Sequence, residues 1–138
     1  MKIESSAFGN GDLIPAKYTC VGVNIAPNLR FSEIPEGTQS LALIVDDPDA
    51  PSGDFVHWIV WNIDIFGDIS SGVQGKNGFG ENKYGGPCPP SGTHRYFFKL
   101  YALDSFLNLP SSSTKSDLLS AMESHILEQS VLLSKFSK

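Results

Sequence analysis

Three apolar runs dominate the pattern of this chain: Ser40–Asp46, Val56–Ile63 and Arg95–Leu103. Each is short, rich in β-branched and aromatic residues, and bounded by Gly, Pro or Asp, which is the signature of strands rather than helices. Ser40–Asp46 is apolar almost throughout, so it reads as a strand buried on both faces. Residues 2–8 offer a first edge strand, and Arg30–Ser32 a further short one before the Pro35-Glu36-Gly37-Thr38 turn. Pro15 to Leu29 is broken by Pro15, Gly22, Asn24 and Pro27 and reads as loop with short extended pieces. Gly67 to Pro90 is glycine-rich without a long apolar run, so it is expected as a long irregular excursion, a kind of loop that is usually functional or mobile. One helix is predicted near the end. Ser111 to Thr114 supply caps, and Leu118, Leu119, Met122 and Ile126 recur at three- and four-residue steps, with His125 at the helix end, packing toward the sheet. Beyond Gln129, VLLSKF fits either a continued helix or a last strand.

Several apolar strands, Gly/Pro turns and a single late helix predict a mainly all-β fold: an antiparallel β-sandwich with a short C-terminal helical element. With 138 residues and no repeat or linker, residues 1–138 are expected to form one domain, large enough to bury about two-thirds of its extended-chain surface. Thirteen glycines and nine prolines agree with a turn-rich β protein.

Charge narrows the function classes. The net charge is −5 and the ten basic residues are scattered, so the basic footprint of a nucleic-acid binder is missing. No apolar run approaches the roughly 20 residues of a transmembrane helix. The first residues, MKIESSAFGNGD, lack the hydrophobic core of a signal peptide, and cytoplasmic residence follows as the default expectation. Cys20 and Cys88 both lie in loop-like sequence and could sit close together; in a reducing compartment they are expected as thiols.

The chemistry concentrates in two blocks. In DDPDAPSGDFVHW, from Asp46 to Trp58, a proline-stiffened turn carries Asp47 and Asp49, and His57 opens the apolar run that follows. Side chains alternate along a strand, so one of Asp46 and Asp47 faces inward; Asp47 is the better candidate, with Asp49 beside it or bracing the turn. The Asp-Pro and Ala-Pro bonds are candidates for a cis peptide. In GGPCPPSGTHRYFFKLY, from Gly85 to Tyr101, a Gly/Pro loop ends in His94-Arg95-Tyr96. A lone histidine in an apolar strand is usually a satisfied core residue, and an acid before Pro is commonly a turn former. Two histidines, two carboxylates and a phenol at the mouths of neighbouring strands instead equip a pocket for a small anion, with Trp58, Phe97 and Tyr84 as candidate walls. A metal centre on His57, His94 and Asp47 is the weaker alternative, since no HxxxH or HxH spacing supports it, and neither metal nor cofactor is expected. A hydrolase using the same cleft lacks a nucleophile: there is no GxSxG elbow, Ser91 lies in a turn, and Cys88 sits between prolines with no basic neighbour in sequence.

At these residues the chain resembles the phosphatidylethanolamine-binding protein family, also called Raf kinase inhibitor-like proteins. LALIVDDPDAPSGDFVHW matches the family's strand, DPDxP turn and following histidine, and YGGPCPPSGTHRYFFKLYAL its glycine/proline loop and HRY block. The YGGPCPP form, NIAPNL at 24–29 and SAMESHIL at 120–127 are similar to the bacterial and archaeal branch. The resemblance implies a β-sandwich with a small-anion pocket formed by Asp47, His57, His94 and Tyr96, rimmed by Pro89 or Pro90, with Gly85-Gly86 allowing close backbone approach. It implies a phosphorylated or carboxylated ligand such as a phospholipid head group, and a kinase or protease as protein partner. Two departures weaken that transfer: Val56-His57 replaces a pair of histidines in animal relatives, and the C-terminal helix is abbreviated. Microbial relatives are often dimers, which makes a homodimer an expectation of the resemblance alone. The competing readings are the hydrolase and a protein-interaction inhibitor with a vestigial pocket.

Overall fold

The computed structural model describes all residues, 1–138. Seven strands and one helix follow one another as β1 (Lys2–Glu4), β2 (Arg30–Ser32), β3 (Ser40–Asp47), β4 (Phe55–Ile63), β5 (Val73–Gln74), β6 (Thr93–Leu103), α1 (Lys115–Met122) and β7 (Ile126–Ser137). Five of them form an antiparallel sheet in the order β5-β4-β3-β6-β7, and β1 pairs with β2 in a small second sheet. No barrel closes. The first edge strand expected over residues 2–8 is present but only three residues long, and it lies in the second sheet.

β3 lies between β4 and β6, which explains why every one of its residues is buried. Its alternating side chains split the hydrophobic core in two. On the inner face Leu41, Leu43 and Val45 join Trp58, Val60, Tyr96, Phe98 and Leu100, and Ile3, Phe8 and Ile14 from the N-terminal region cover them. On the outer face Ala42 and Ile44 join Ile59, Trp61, Tyr101 and Leu103 beneath Leu107, Leu118 and Met122. Burial of this kind contributes roughly 25 cal/mol per Å² of apolar surface, and it sets which way each neighbouring polar residue points.

The end of the chain departs from expectation. α1 starts where the caps predict, with Thr114 as N-cap and its N–H donating to Asp117 Oδ2 at 2.9 Å. It stops at Met122, and Ser124 takes a positive φ of 70° that turns the chain back. Only Leu118 and Met122 of the predicted stripe are buried, whereas Leu119 is exposed and Ile126 opens β7. VLLSKF is therefore strand, paired along β6 from Thr93↔Ser137 to Leu103↔Ile126. His125 is not on the helix. It lies in the turn, with Nδ1 2.8 Å from Asp104 Oδ1 at the surface. The peptide bonds are all trans, including those before Pro48 and Pro51.

Candidate functional site

A β-bulge builds the site. β4 pairs with β3 through Val45↔Trp58 and then Asp46↔Val56, so His57 is the extra residue between two paired positions. Strict alternation would set His57 and Trp58 on opposite faces. The bulge instead turns the His57 ring to the inner side, where it meets Tyr96 edge-on at 5.2 Å and Phe55 at 5.0 Å between ring centroids. Asp47 at the end of β3, and His94 and Tyr96 at the start of β6, point to the same side. All four line one hollow of about 240 Å³, walled also by Ala50, Pro51, Ser52, Phe55, Phe79, Cys88, Pro89 and Pro90. That volume lies below the roughly 300–1,000 Å³ of sites that take drug-sized molecules.

Hydrogen bonds fix the polar floor. Asp47 Oδ1 accepts the Asp49 N–H at 2.7 Å, and Oδ2 lies 2.7 Å from His94 Nδ1. Both carboxylate oxygens are thus engaged within the protein. His57 Nδ1 lies 2.7 Å from the Gly85 carbonyl oxygen, which can only accept, so Nδ1 carries the proton and Nε2 is the free ring nitrogen. The phenol oxygen of Tyr96 is buried without a hydrogen-bond partner. Two imidazole Nε2 atoms and one phenol of the lining residues thus have no hydrogen-bond partner within the protein.

Burial lowers the His57 pKa below its usual value, against the Gly85 carbonyl and the Asp47 charge, which both raise it. At neutral pH His57 is neutral and its Nε2 accepts; protonated, it becomes a cationic donor. Burial also raises the Tyr96 pKa, with the charges of Asp47 and Asp49 adding to it, so the phenol stays a donor. Below the floor, Asp49 receives Arg95 through Nε, Nη2 and the backbone N–H at 2.8–2.9 Å. The Arg95 hydrogen bonds hold the Asp49 carboxyl well below the usual range, at about 2.

On the opposite face, the fully buried Asp46 takes Lys99 at 3.0 Å and Lys115 at 2.8 Å. The adjacent aspartates are therefore divided by strand alternation, Asp47 to the hollow and Asp46 to the helix side. Burial opposes the Lys115 charge, but Asp46 and Asp54 outweigh it and raise its pKa.

Of the residues singled out from sequence, Asp47, His57, His94, Tyr96, Pro89 and Pro90 come together around the hollow. Asp49 does not line it and instead braces the turn through Arg95. Gly86 does not line it either. Its close approach is to another loop: a Cβ there would collide with the Tyr18 carbonyl oxygen and Asn24 Oδ1. The suggested walls Trp58, Phe97 and Tyr84 lie elsewhere. Trp58 is core, with Nε1–H donating to Gln74 Oε1; Tyr84 donates to the Tyr18 carbonyl; Phe97 stacks beneath Arg95 and Lys99. The aromatic walls are Phe55 and Phe79, which touch each other and His57. Phe55, two residues before His57, was detectable from its spacing. Phe79 in Gly78-Phe79-Gly80 carried no such signal. No three His, Cys, Asp or Glu side chains meet in a metal-holding arrangement. Cys20 and Cys88 are not thiols: they form a disulfide, with Cα atoms 5.4 Å apart, because the Asn24–Gly86 and Cys20–Pro87 hydrogen bonds draw their loops together.

Fold and hollow together define a two-sheet antiparallel β protein with a small polar-floored, aromatic-walled hollow at one end of its main sheet. Comparison with known proteins gives that class a family. Residues 4–137 match the family model described as phosphatidylethanolamine-binding protein, and the chain belongs to that family. A UPF0098 protein of Pyrococcus abyssi is 46% identical over 97% of this chain and 84% of its own length. One of Chlamydia muridarum is 46% identical over 100% and 99%. Among solved structures, a phosphatidylethanolamine-binding protein homologue of Chlamydia trachomatis superposes with a TM-score of 0.93 at 42% identity, covering 99% of this chain and 96% of that one. Escherichia coli YbcL, described as a member of the mammalian family, superposes at 0.92 and 28% identity, covering 99% and 98%.

Proposed function

We propose that this protein is a binding module for a small anion of the phosphate or carboxylate class, held in the hollow by protonated His57, His94 and Tyr96. One observation carries the reading: His57, His94 and Tyr96, whose side chains keep spare hydrogen-bonding capacity, all line a small hollow whose carboxylate is already tied up. Asp47 has the role of holding His94 with Nε2 toward the guest, and Asp49 that of holding Asp47. No lysine or arginine lines the hollow, so the positive charge must come from protonated imidazole. The ligand therefore binds with proton uptake. A few charge-assisted hydrogen bonds and no large apolar contact suggest a dissociation constant of roughly micromolar to millimolar.

Pro51, Phe79 and Pro90 form the rim, which is where a protein partner of the kinase or protease type would sense the guest. The cytoplasm is the compartment we propose, and there the Cys20–Cys88 bond would face a reducing thiol pool. Binding is favoured over hydrolysis because neither imidazole is hydrogen-bonded to a serine or a thiol; their partners are the Gly85 carbonyl and Asp47.

Titration calorimetry with phosphate tests the proposal. Affinity should be at least about tenfold higher near pH 5.5 than near pH 8. Sulfate, which does not titrate in that interval, should show the same trend and so separates protonation of the protein from protonation of the ligand. Equal sulfate affinities at both pH values contradict the reading.

A further inference from the structure

The wall of the hollow is held by one covalent bond. Cys88 lines the hollow, and its sulfur joins Cys20 on the loop after the short 3-10 turn Ala16–Tyr18. Upstream of Cys88 the wall segment is well tied. Tyr84 donates to the Tyr18 carbonyl at 2.7 Å, the Gly85 N–H to the His57 carbonyl at 3.0 Å, and the Gly86 N–H to Asn24 Oδ1 at 2.9 Å. The Pro87 carbonyl accepts the Cys20 N–H at 3.1 Å. Downstream the situation differs. Pro89 and Pro90 have no N–H to give, and no hydrogen bond holds Cys88, Ser91 or Gly92 before β6 begins at Thr93. The disulfide is the anchor of the stretch that supplies Pro89 and Pro90 to the wall.

The bond is also reachable. Cys20 and Cys88 are both half-buried. Both residues line a second hollow of about 150 Å³ beside the Gly85-Gly86 segment, lined also by Phe79, Glu81 and Lys83. This second hollow gives a small thiolate an approach to the disulfide that does not run past Asp47, His57, His94 or Tyr96, none of which lines it.

We propose that the Cys20–Cys88 bond is a dithiol-exchangeable latch on the anion hollow. The reductant is a dithiol. One of its thiolates attacks a sulfur of the pair, forming a mixed disulfide and releasing the other cysteine as a thiolate that takes up a proton. Its second thiol then displaces the mixed disulfide, leaving Cys20 and Cys88 as thiols and the reductant as its own disulfide, with two electrons transferred. Reduction leaves the Gly85 carbonyl on His57 Nδ1 in place, since that contact lies upstream, but frees residues 88–92 and with them the proline wall. The oxidised protein holds the anion and the reduced one releases it. This latch rests on the anion reading, and the test separates the two.

The full chain is compared before and after reduction with dithiothreitol, with reduction verified by alkylation and mass. A second sample carries Cys20→Ser with Cys88→Ser. Two quantities are read in every sample: phosphate affinity by amide NMR titration, and backbone order parameters at positions 88, 91 and 92. The latch predicts an affinity loss of at least about tenfold and order parameters falling below about 0.6, in both the reduced protein and the double variant. Unchanged affinity and unchanged order parameters overturn it, as does a bond that dithiothreitol leaves intact in the folded protein. If the oxidised form binds no phosphate, the anion reading fails, and the latch is judged on the order parameters alone: a fall supports it and no change overturns it.

Discussion

At His57 two opposed effects meet, since burial disfavours the imidazolium while the Gly85 carbonyl and the Asp47 charge favour it, and burial wins. An anion entering the hollow adds to the losing side, so it must raise the His57 pKa by the same free energy that protonation adds to its own binding. His57→Gln keeps a polar side chain but no ionisable one. It should weaken phosphate by about tenfold or more near pH 5.5, as loss of a charge-assisted hydrogen bond of roughly 1.5–3 kcal/mol requires, and flatten the pH dependence seen by calorimetry. Tyr96→Phe removes a buried hydroxyl that has no partner within the protein. Its melting temperature should stay near wild type, whereas phosphate affinity should drop about tenfold, corresponding to roughly 1.4 kcal/mol. A large stability loss with unchanged affinity would mean the phenol serves the core and not a guest.

Among the elements, the β3–β4 turn carries most of the organisation. Asp49 gathers three Arg95 donors and orients Asp47 through its own N–H, so the turn is a scaffold rather than a contact surface. Asp49→Ala should cost about 1–2 kcal/mol in urea unfolding, because Arg95 is exposed and the pair is screened, and weaken phosphate several-fold by loosening the turn whose backbone N–H holds Asp47. Undiminished affinity would detach the turn from the site. The same elements show what the sequence made legible. β3, β4 and β6 were readable because each is a short apolar run fixed by burial, and the two-residue period already separated Asp46 from Asp47. The His57 bulge was not, since one extra residue in a pairing leaves no trace in local composition. β7 was ambiguous because Ile126 follows Met122 at a helical step by coincidence, while the chain reverses at Ser124. The disulfide depends on contacts between the 15–24 and 84–88 segments, and the Phe79 wall on contacts of the 77–80 loop with Phe55 and His57; both are tertiary and invisible to periodicity.

For the molecule as a whole, the sheet core supplies the rigidity that a small hollow needs. Leu43, fully buried at the centre of β3, should cost about 2–5 kcal/mol on truncation to Ala, measured by chemical denaturation. His57 links that stability to pH. Its folded pKa lies below the unfolded value of about 6.5, so the unfolded chain binds the proton more readily. The contribution is complete above that value and is lost as pH falls through the folded pKa. Thermal melting should therefore decline as pH falls below about 6.5, and saturating sulfate should recover much of the decline by binding only the folded, protonated form. Asp49 acts at lower pH: its stabilisation is present above about 3.8 and fades toward about 2.

The most direct test is a histidine NMR titration of His57 with and without saturating sulfate. The account predicts a folded-state pKa below that of free histidine in the sulfate-free protein, rising by at least about one unit when sulfate is bound. A His57 that titrates at the same pH in both samples would contradict proton-coupled anion capture.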